Sequence, residues 1–469
     1  MSRFSPILAA ASALVLAACA VGPDYKAPIV APAEFRNADP AVYAQANPEA
    51  AWWRGFEDPV LDDLIAQALV ANTDLRIALA RVAEARALFT DARLDQLPRA
   101  TLLGAYSASE QQQPGSGGAR VESETYQLGF DAAWELDLFG RVRRGVEAAR
   151  AEAGAAEASL RDAQVTVAAE VARTYFELRG AQTRLDVARR NLESQRETMR
   201  ITQVRFDVGR GDPIDAESAR ARLAATEATI PALIAAERQA AHRLAVLTGQ
   251  RPGALDARLA EPMTRKAPLA RPLPIGEAGD LLRRRPDVQA AERRLAAETA
   301  RQGVATADLF PRVRITGFVG FLAGDLSALG EGASRAWSAT PAVSWPGLDL
   351  GGARARLRAQ EARTQGALAA YDQAVLRAVE DVENALVAYA QRQAQLRSLT
   401  EQAAASRRAA ELARIRYREG EIDFLVLLDA ERTLLAAEDG LSLAQTALNT
   451  DVAALYKALG GGWDSLPPA

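Results

Sequence analysis

The sequence predicts a mixed α and β chain that is helix-dominated and internally duplicated. Three observations predict it. Proline-free stretches run far beyond the length of a usual helix. Two pairs of short segments alternate apolar and polar residues with period two. The same order of features then recurs about 211–213 residues later, as Leu97-Pro98-Arg99 against Phe310-Pro311-Arg312 shows (310 − 97 = 213).

The chain opens with Arg3 and an apolar run over residues 7–18, too short to span a bilayer, and then Cys19. Residues 1–18 therefore read as a signal peptide. Leu16-Ala17-Ala18-Cys19 resembles a bacterial lipobox. That resemblance implies cleavage before Cys19 and lipid on its sulfur and new amino group. Ala20, where an aspartate would favour the inner membrane, points to the outer membrane. Two or more acyl chains make a stable anchor. Cys19 is the only cysteine of the 469 residues, so no intramolecular disulfide forms. With a single histidine, the usual zinc clusters are excluded too. A net charge of −4 argues against a nucleic-acid surface.

Residues 19–58 hold Pro23, Pro28, Pro32, Pro40, Pro48 and the Trp52-Trp53 pair, and read as an irregular, lipid-anchored segment wrapping other structure. The first repeat, 59–249, starts with a helix from Pro59 to about residue 95, stopped by Pro98. Strands follow at about 99–109 and 125–136. The second is strict: Tyr126, Leu128, Phe130, Ala132, Trp134 and Leu136 share one face. The loop at 111–118 is polar and rich in breakers. A long helix at about 140–208 would extend about 100 Å. Leu178, Leu185, Leu192, Met199 and Phe206 recur in it every seventh residue, a coiled-coil-like seam. It ends at Gly209 and Gly211. Asp212 caps a return helix, 213–248, with Pro213 first and a bend at Pro231.

Residues 250–275 form a proline-rich linker, and 276–460 repeat the unit. Its strands lie at about 312–322 and 334–345, its long helix at 352–419 and its return helix at 423–459; residues 461–469 are a tail. The seam recurs at Tyr389, Leu396, Ala403, Ala410 and Tyr417, offset by 211 (389 − 178).

Strands of about 10 residues cross a bilayer when tilted. Four cannot close a barrel, and open edges are not tolerated in lipid. Three copies supply 12 strands, lipid outside and water inside. The long helices would then make a hollow tube.

The start Val21-Gly22-Pro23-Asp24-Tyr25, the Trp52-Trp53 pair, the repeated strand–strand–long-helix unit and the two glycine turns resemble the TolC-like outer-membrane efflux proteins, in the lipoprotein branch related to OprM and NodT. The resemblance covers essentially the whole mature chain. It implies a homotrimeric 12-stranded transmembrane β-barrel, continued by a periplasmic α-helical barrel. It implies a periplasmic adaptor (membrane fusion protein) and an inner-membrane pump, often of the resistance-nodulation-division type, as partners. The function implied is the exit duct of a tripartite efflux pump for small molecules such as drugs. A type I protein secretion duct is the alternative, and a periplasmic coiled-coil scaffold without a channel is a more distant one.

By the same resemblance, the hairpin tips at Gly209, Gly211 and Gly420 receive the adaptor. Asp215, Arg416 and Tyr417 would hold the tube shut, the last two bonding or pairing with Asp215. Asp429 would ring the entrance and favour cations. Position alone reads Asp429 and Glu431 differently, as solvated residues at a helix start. No enzyme is expected. His242 stands alone, and no lysine follows Gly460-Gly461-Gly462 as a phosphate loop requires. No cofactor is called for beyond the lipid on Cys19.

Overall fold

The computed structural model describes residues 20–28, 34–47, 50–112, 120–261, 272–347 and 349–461, without the side chains of 281 and 282. The signal peptide, Cys19, most of the first loop between strands, most of the linker's middle and the tail from residue 462 lie outside the described residues. In chain order β1 (Tyr43–Ala44) precedes the first repeat, which contains α1 (Pro59–Ala71), α2 (Thr73–Leu94), β2 (Arg99–Gln112), β3 (Arg120–Leu136), α3 (Arg141–Asp207), α4 (Pro213–Glu227) and α5 (Ile230–Leu247). After α6 (Asp256–Leu259) and β4 (Leu273–Pro274) come α7 (Ala278–Arg284), α8 (Pro286–Ala307), β5 (Arg312–Ala323), β6 (Arg335–Ser344), α9 (Leu350–Glu419) and α10 (Phe424–Ala458).

Two compact units divide the chain. One takes residues 1–30, 80–157 and 290–373; the other takes 31–79, 158–289 and 374–469. In the first unit the two hairpins join into one antiparallel sheet of order β2-β3-β5-β6. The junction is β3 on β5, with Tyr126 opposite Ala323 and Trp134 opposite Ile315. Within the chain, β2 and β6 are edges. The segment after Cys19 is tied to this unit: the Val21 amide donates to the Phe139 carbonyl at 3.1 Å. Asp24 takes a 2.6 Å bond from Arg144, and Tyr25 donates to Glu292 at 2.8 Å.

The second unit holds the largest core. Trp52 stacks on Tyr456 with ring centroids 5.2 Å apart, and Phe56 lies 4.6 Å from Phe176. Asp58 caps α1 through the Val60 amide at 2.9 Å and accepts the Tyr175 hydroxyl at 2.5 Å. The aromatic N-terminal segment is thus part of a core, and the linker closes on it: β4 pairs parallel with β1, Leu273 beside Tyr43.

Two predicted helices are each two helices. The helix expected over 59–95 breaks at Asn72, which is extended and buried. Its side-chain oxygen accepts from the amides of Asp74 (2.8 Å) and Leu75 (3.2 Å), so it caps α2. The first return helix breaks at Ala228 and Thr229. Pro231 has no N–H, and its ring meets the carbonyl four residues back, so the helix restarts there rather than bending. β3 also begins five residues earlier than the period-two pattern suggested. Its pairing with β2 continues outward to Gln112 opposite Arg120.

Candidate functional site

The sheet has two chemically distinct faces. Leu102, Phe130, Val319 and Trp337 stand directly opposite one another on the four successive strands. All four are exposed, Trp337 by 81%. The neighbouring row of the other face reads Leu103, Gly129, Gly320 and Ala336. There a Cβ on Gly129 would lie 2.7 Å from the Gly320 Cα, so the two strands close on glycine. A continuous, uncovered apolar row suits hydrocarbon, not water. Beside the sheet, the Trp134 indole donates to the Gln96 carbonyl at 3.0 Å. The Trp345 indole does the same to Leu309 at 3.0 Å. The two tryptophans are 211 residues apart (345 − 134), as their repeat positions require.

Both long helices end in the same turn. Gly209 at φ +73° and Gly420 at φ +79° take the left-handed conformation. The amides of Arg210 and Glu421 reach back to the carbonyls of Arg205 (2.8 Å) and Arg416 (2.9 Å). That closure satisfies the last carbonyls and needs a residue without a Cβ at its left-handed position. Gly211 is fixed differently: a Cβ there would sit 2.9 Å from the Phe206 backbone nitrogen. Around the two tips Val208, Ile214, Leu425 and Val426 are all exposed.

The four tip residues expected to form a gate have different partners. Tyr417 is buried, its hydroxyl 3.2 Å from that of Thr202, with the Arg205 guanidinium 4.6 Å from its ring centroid. Arg416 is exposed and donates to Glu421 at 3.0 Å, because the Gly420 turn folds Glu421 back beside it. Asp215 bonds neither of them among the described residues. Partial burial and the charges of Asp212 and Asp423 push its pKa up from the ordinary value. Asp429 is exposed and accepts from Arg432 at 2.7 Å, a surface pair of small energetic value. The expected bonds from Asp215 to Tyr417 and Arg416 are therefore not made within the chain.

Glu431 is not the solvated residue that its place near a helix start suggested. It is 2% exposed. One of its oxygens accepts from Thr198 of α3 at 3.0 Å and from Arg414 of α9 at 2.9 Å. One heptad along, Glu438 accepts from Asn191 at 3.3 Å and from Arg407 at 2.6 Å. The three pairs Asn191/Thr198, Arg407/Arg414 and Glu431/Glu438 are each seven residues apart. That spacing stands in the sequence, but polar residues seven apart are also what a solvated helix face carries, so the spacing alone does not mark them as buried.

A four-stranded sheet with open edges and a bare apolar face, carried twice over by long helical hairpins, defines an outer-membrane channel subunit. The chain belongs to the outer membrane efflux protein family, whose pattern it matches twice, over residues 64–250 and 278–461. Nodulation protein T of Rhizobium leguminosarum bv. trifolii is 31% identical, covering 100% of this chain and 99% of its own. Outer membrane protein OprJ of Pseudomonas aeruginosa is 33% identical over 96% of this chain and 95% of its own. The solved outer-membrane channel OprN superimposes with a TM-score of 0.91 at 50% identity, covering 95% of this chain and all of that one. The two separate family matches coincide with the two repeats, so the duplication belongs to the family.

Proposed function

We propose that the chain is the outer-membrane exit duct of a tripartite efflux pump. It works as a homotrimer, passing small molecules from a periplasmic adaptor and an inner-membrane pump of the resistance-nodulation-division type to the outside. The observation that carries this reading is the row Leu102–Phe130–Val319–Trp337, exposed across a sheet whose edges β2 and β6 are unpaired. Hydrocarbon tolerates neither an open edge nor four strands alone. Edge pairing with two further copies gives 12 strands and a water-filled lumen. The exposed apolar residues Val208, Ile214, Leu425 and Val426 beside the glycine turns supply a surface for the adaptor. Acylated Cys19 adds a tether to a protein already held by its barrel.

The test is direct. Purified protein should run as a heat-dissociable trimer and open pores in planar bilayers. Deleting the gene should sensitise the cell to small toxic compounds. A monomer that gives no conductance would overturn the proposal; loss of protein secretion without altered drug sensitivity would favour the type I duct. Replacing Cys19 with Ser should abolish radiolabelled fatty-acid incorporation and leave conductance within about twofold, since barrel insertion dominates one acyl anchor.

A further inference from the structure

Along α3 the packed face changes character. Val171, Tyr175 and Leu178 are fully buried in the large core, against Leu386, Tyr389 and Leu455 among others. Further on, Leu192 is the last buried apolar residue of α3, and the buried polar positions are Asn191, Gln195, Thr198 and Thr202. Their spacing of four, three and four is that of a coiled-coil seam, yet none is apolar.

The charges in this polar seam are arranged unequally. Each buried carboxylate of α10 has its arginine on α9: Arg414 for Glu431, Arg407 for Glu438. These two helices are joined by the Gly420 turn, so each ion pair lies inside one hairpin. The hydrogen bonds that cross from α3 to that hairpin come from uncharged α3 side chains: Thr198 to Glu431, Asn191 to Glu438 and Thr202 to Tyr417, while Arg205 meets the face of the Tyr417 ring at 4.6 Å rather than a carboxylate. From Asn191 to the tip, no ion pair joins α3 to α9 or α10 among the described residues. Arg184 and Asp439, bonded at 2.6 Å, pair α3 with the hairpin before the polar set begins. Gln195 is 3% exposed, and neither end of its amide has a protein partner.

We propose that residues 191–202 of α3 form a release joint for the second hairpin. When α3 and the α9–α10 hairpin part here, Glu431 and Glu438 keep their arginines, so no charge is left alone. The hydrogen bonds given up come from neutral side chains and are exchanged for water, the apolar cost is confined to the already part-exposed Met199 and Ile201 and the Arg205–Tyr417 ring contact, and Gln195 gains partners it lacks while buried. The apolar stretch above Arg184 has no such exchange and holds the two elements together. The joint rests on the channel reading. It assigns to Thr198 and Gln195 opposite influences on how easily the tip opens.

Single-channel recording in planar bilayers separates these ideas. Thr198→Val removes a bond across the joint and should raise the open fraction about tenfold or more, the equilibrium change from losing one hydrogen bond to a carboxylate. Thr198→Ser should restore it. Gln195→Leu makes the closed joint apolar and should lower the open fraction about fivefold, the equilibrium change from no longer burying an unpartnered neutral amide. Amide exchange should show less protection at 191–202 than at 171–178, with Gln195→Leu narrowing the gap. Wild-type pores with both variants within twofold of wild type would overturn the joint alone. A wild type that forms no pore would overturn the channel reading together with it.

Discussion

The two long helices come from one duplicated design, and their seams end differently. In α9 every seventh-residue seam position but Leu396 stays buried: Tyr389, Ala403, Ala410 and Tyr417. In α3 the equivalent residues begin buried at Leu178, Leu185 and Leu192, but Met199 is only partly covered and Phe206 is 40% exposed. A strict seven-residue repeat drifts about 20° per heptad on a straight helix. In α3 that drift carries the apolar seam off the contact face, and the polar set from Asn191 to Thr202 takes its place. Duplication thus kept the topology of the hairpin and let the chemistry of the tip diverge.

The same divergence appears where each repeat's leading helix breaks. Asn72 donates from its amide to the Leu247 carbonyl at 2.9 Å. At the matching place, Arg285 donates to the Ala458 carbonyl at 2.8 Å (285 − 72 = 213; 458 − 247 = 211). Arg285 also bonds Asp287 and Asp381, at 2.7 and 3.0 Å, and is 8% exposed. Two different residues perform one structural task, one neutral and one charged. Arg285→Ala should therefore cost about 3 kcal/mol, because two carboxylates lose a buried partner. Asn72→Ala should cost about 1–2 kcal/mol, the range for a lost helix cap. Urea unfolding of the two variants measures both; equal losses would break the comparison.

A smaller difference separates the ion pairs beside the tips. Arg196–Glu227 and Arg407–Glu438 are repeat equivalents (407 − 196 = 211; 438 − 227 = 211). The first pair has both side chains about half exposed, at 50% and 48%, while Glu438 is 10% exposed. Glu438→Ala should cost roughly 2 kcal/mol, less than a fully enclosed pair because Arg407 keeps half its side chain in water. Glu227→Ala should cost under about 1 kcal/mol. The midpoint of urea unfolding again decides, and a larger loss for Glu227→Ala would invert the comparison.

Much of the fold was legible in the sequence. The period-two run from Tyr126 to Leu136 located β3, the proline-free stretches located α3 and α9, and the 211–213 offset paired the repeats. What escaped was set by neighbours rather than by local pattern. Asn72 sits in an apolar-periodic run, and the following Thr73-Asp74 was the signal that it caps a helix. The partner of Tyr417 depends on how α3 and α9 are rotated about their axes, which a seven-residue repeat leaves undetermined. Glu431 looked solvated because acidic residues near a helix start usually are. Its burial follows from Thr198 and Arg414 approaching from two other helices.

The smallest expected effect sits at Asp215. Asp212 and Asp423 raise its pKa in the fold, together with partial burial, above the ordinary 3.8. The folded tip therefore binds its proton more tightly than the unfolded chain does, and protonation favours the fold. That contribution is complete below pH 3.8 and is lost as pH rises through the folded value. The first tip should open more readily at pH 7 than near pH 4, and Asp215→Asn should remove most of that difference. Amide protection factors for residues 209–219, corrected for the intrinsic exchange rate at each pH, measure it. The second tip has Arg414, Arg416 and Arg418 in its last helical turns and should change less over the same range. Equal pH dependence at the two tips, or a wild-type first tip better protected at pH 7, would show that the three aspartates do not set the local balance.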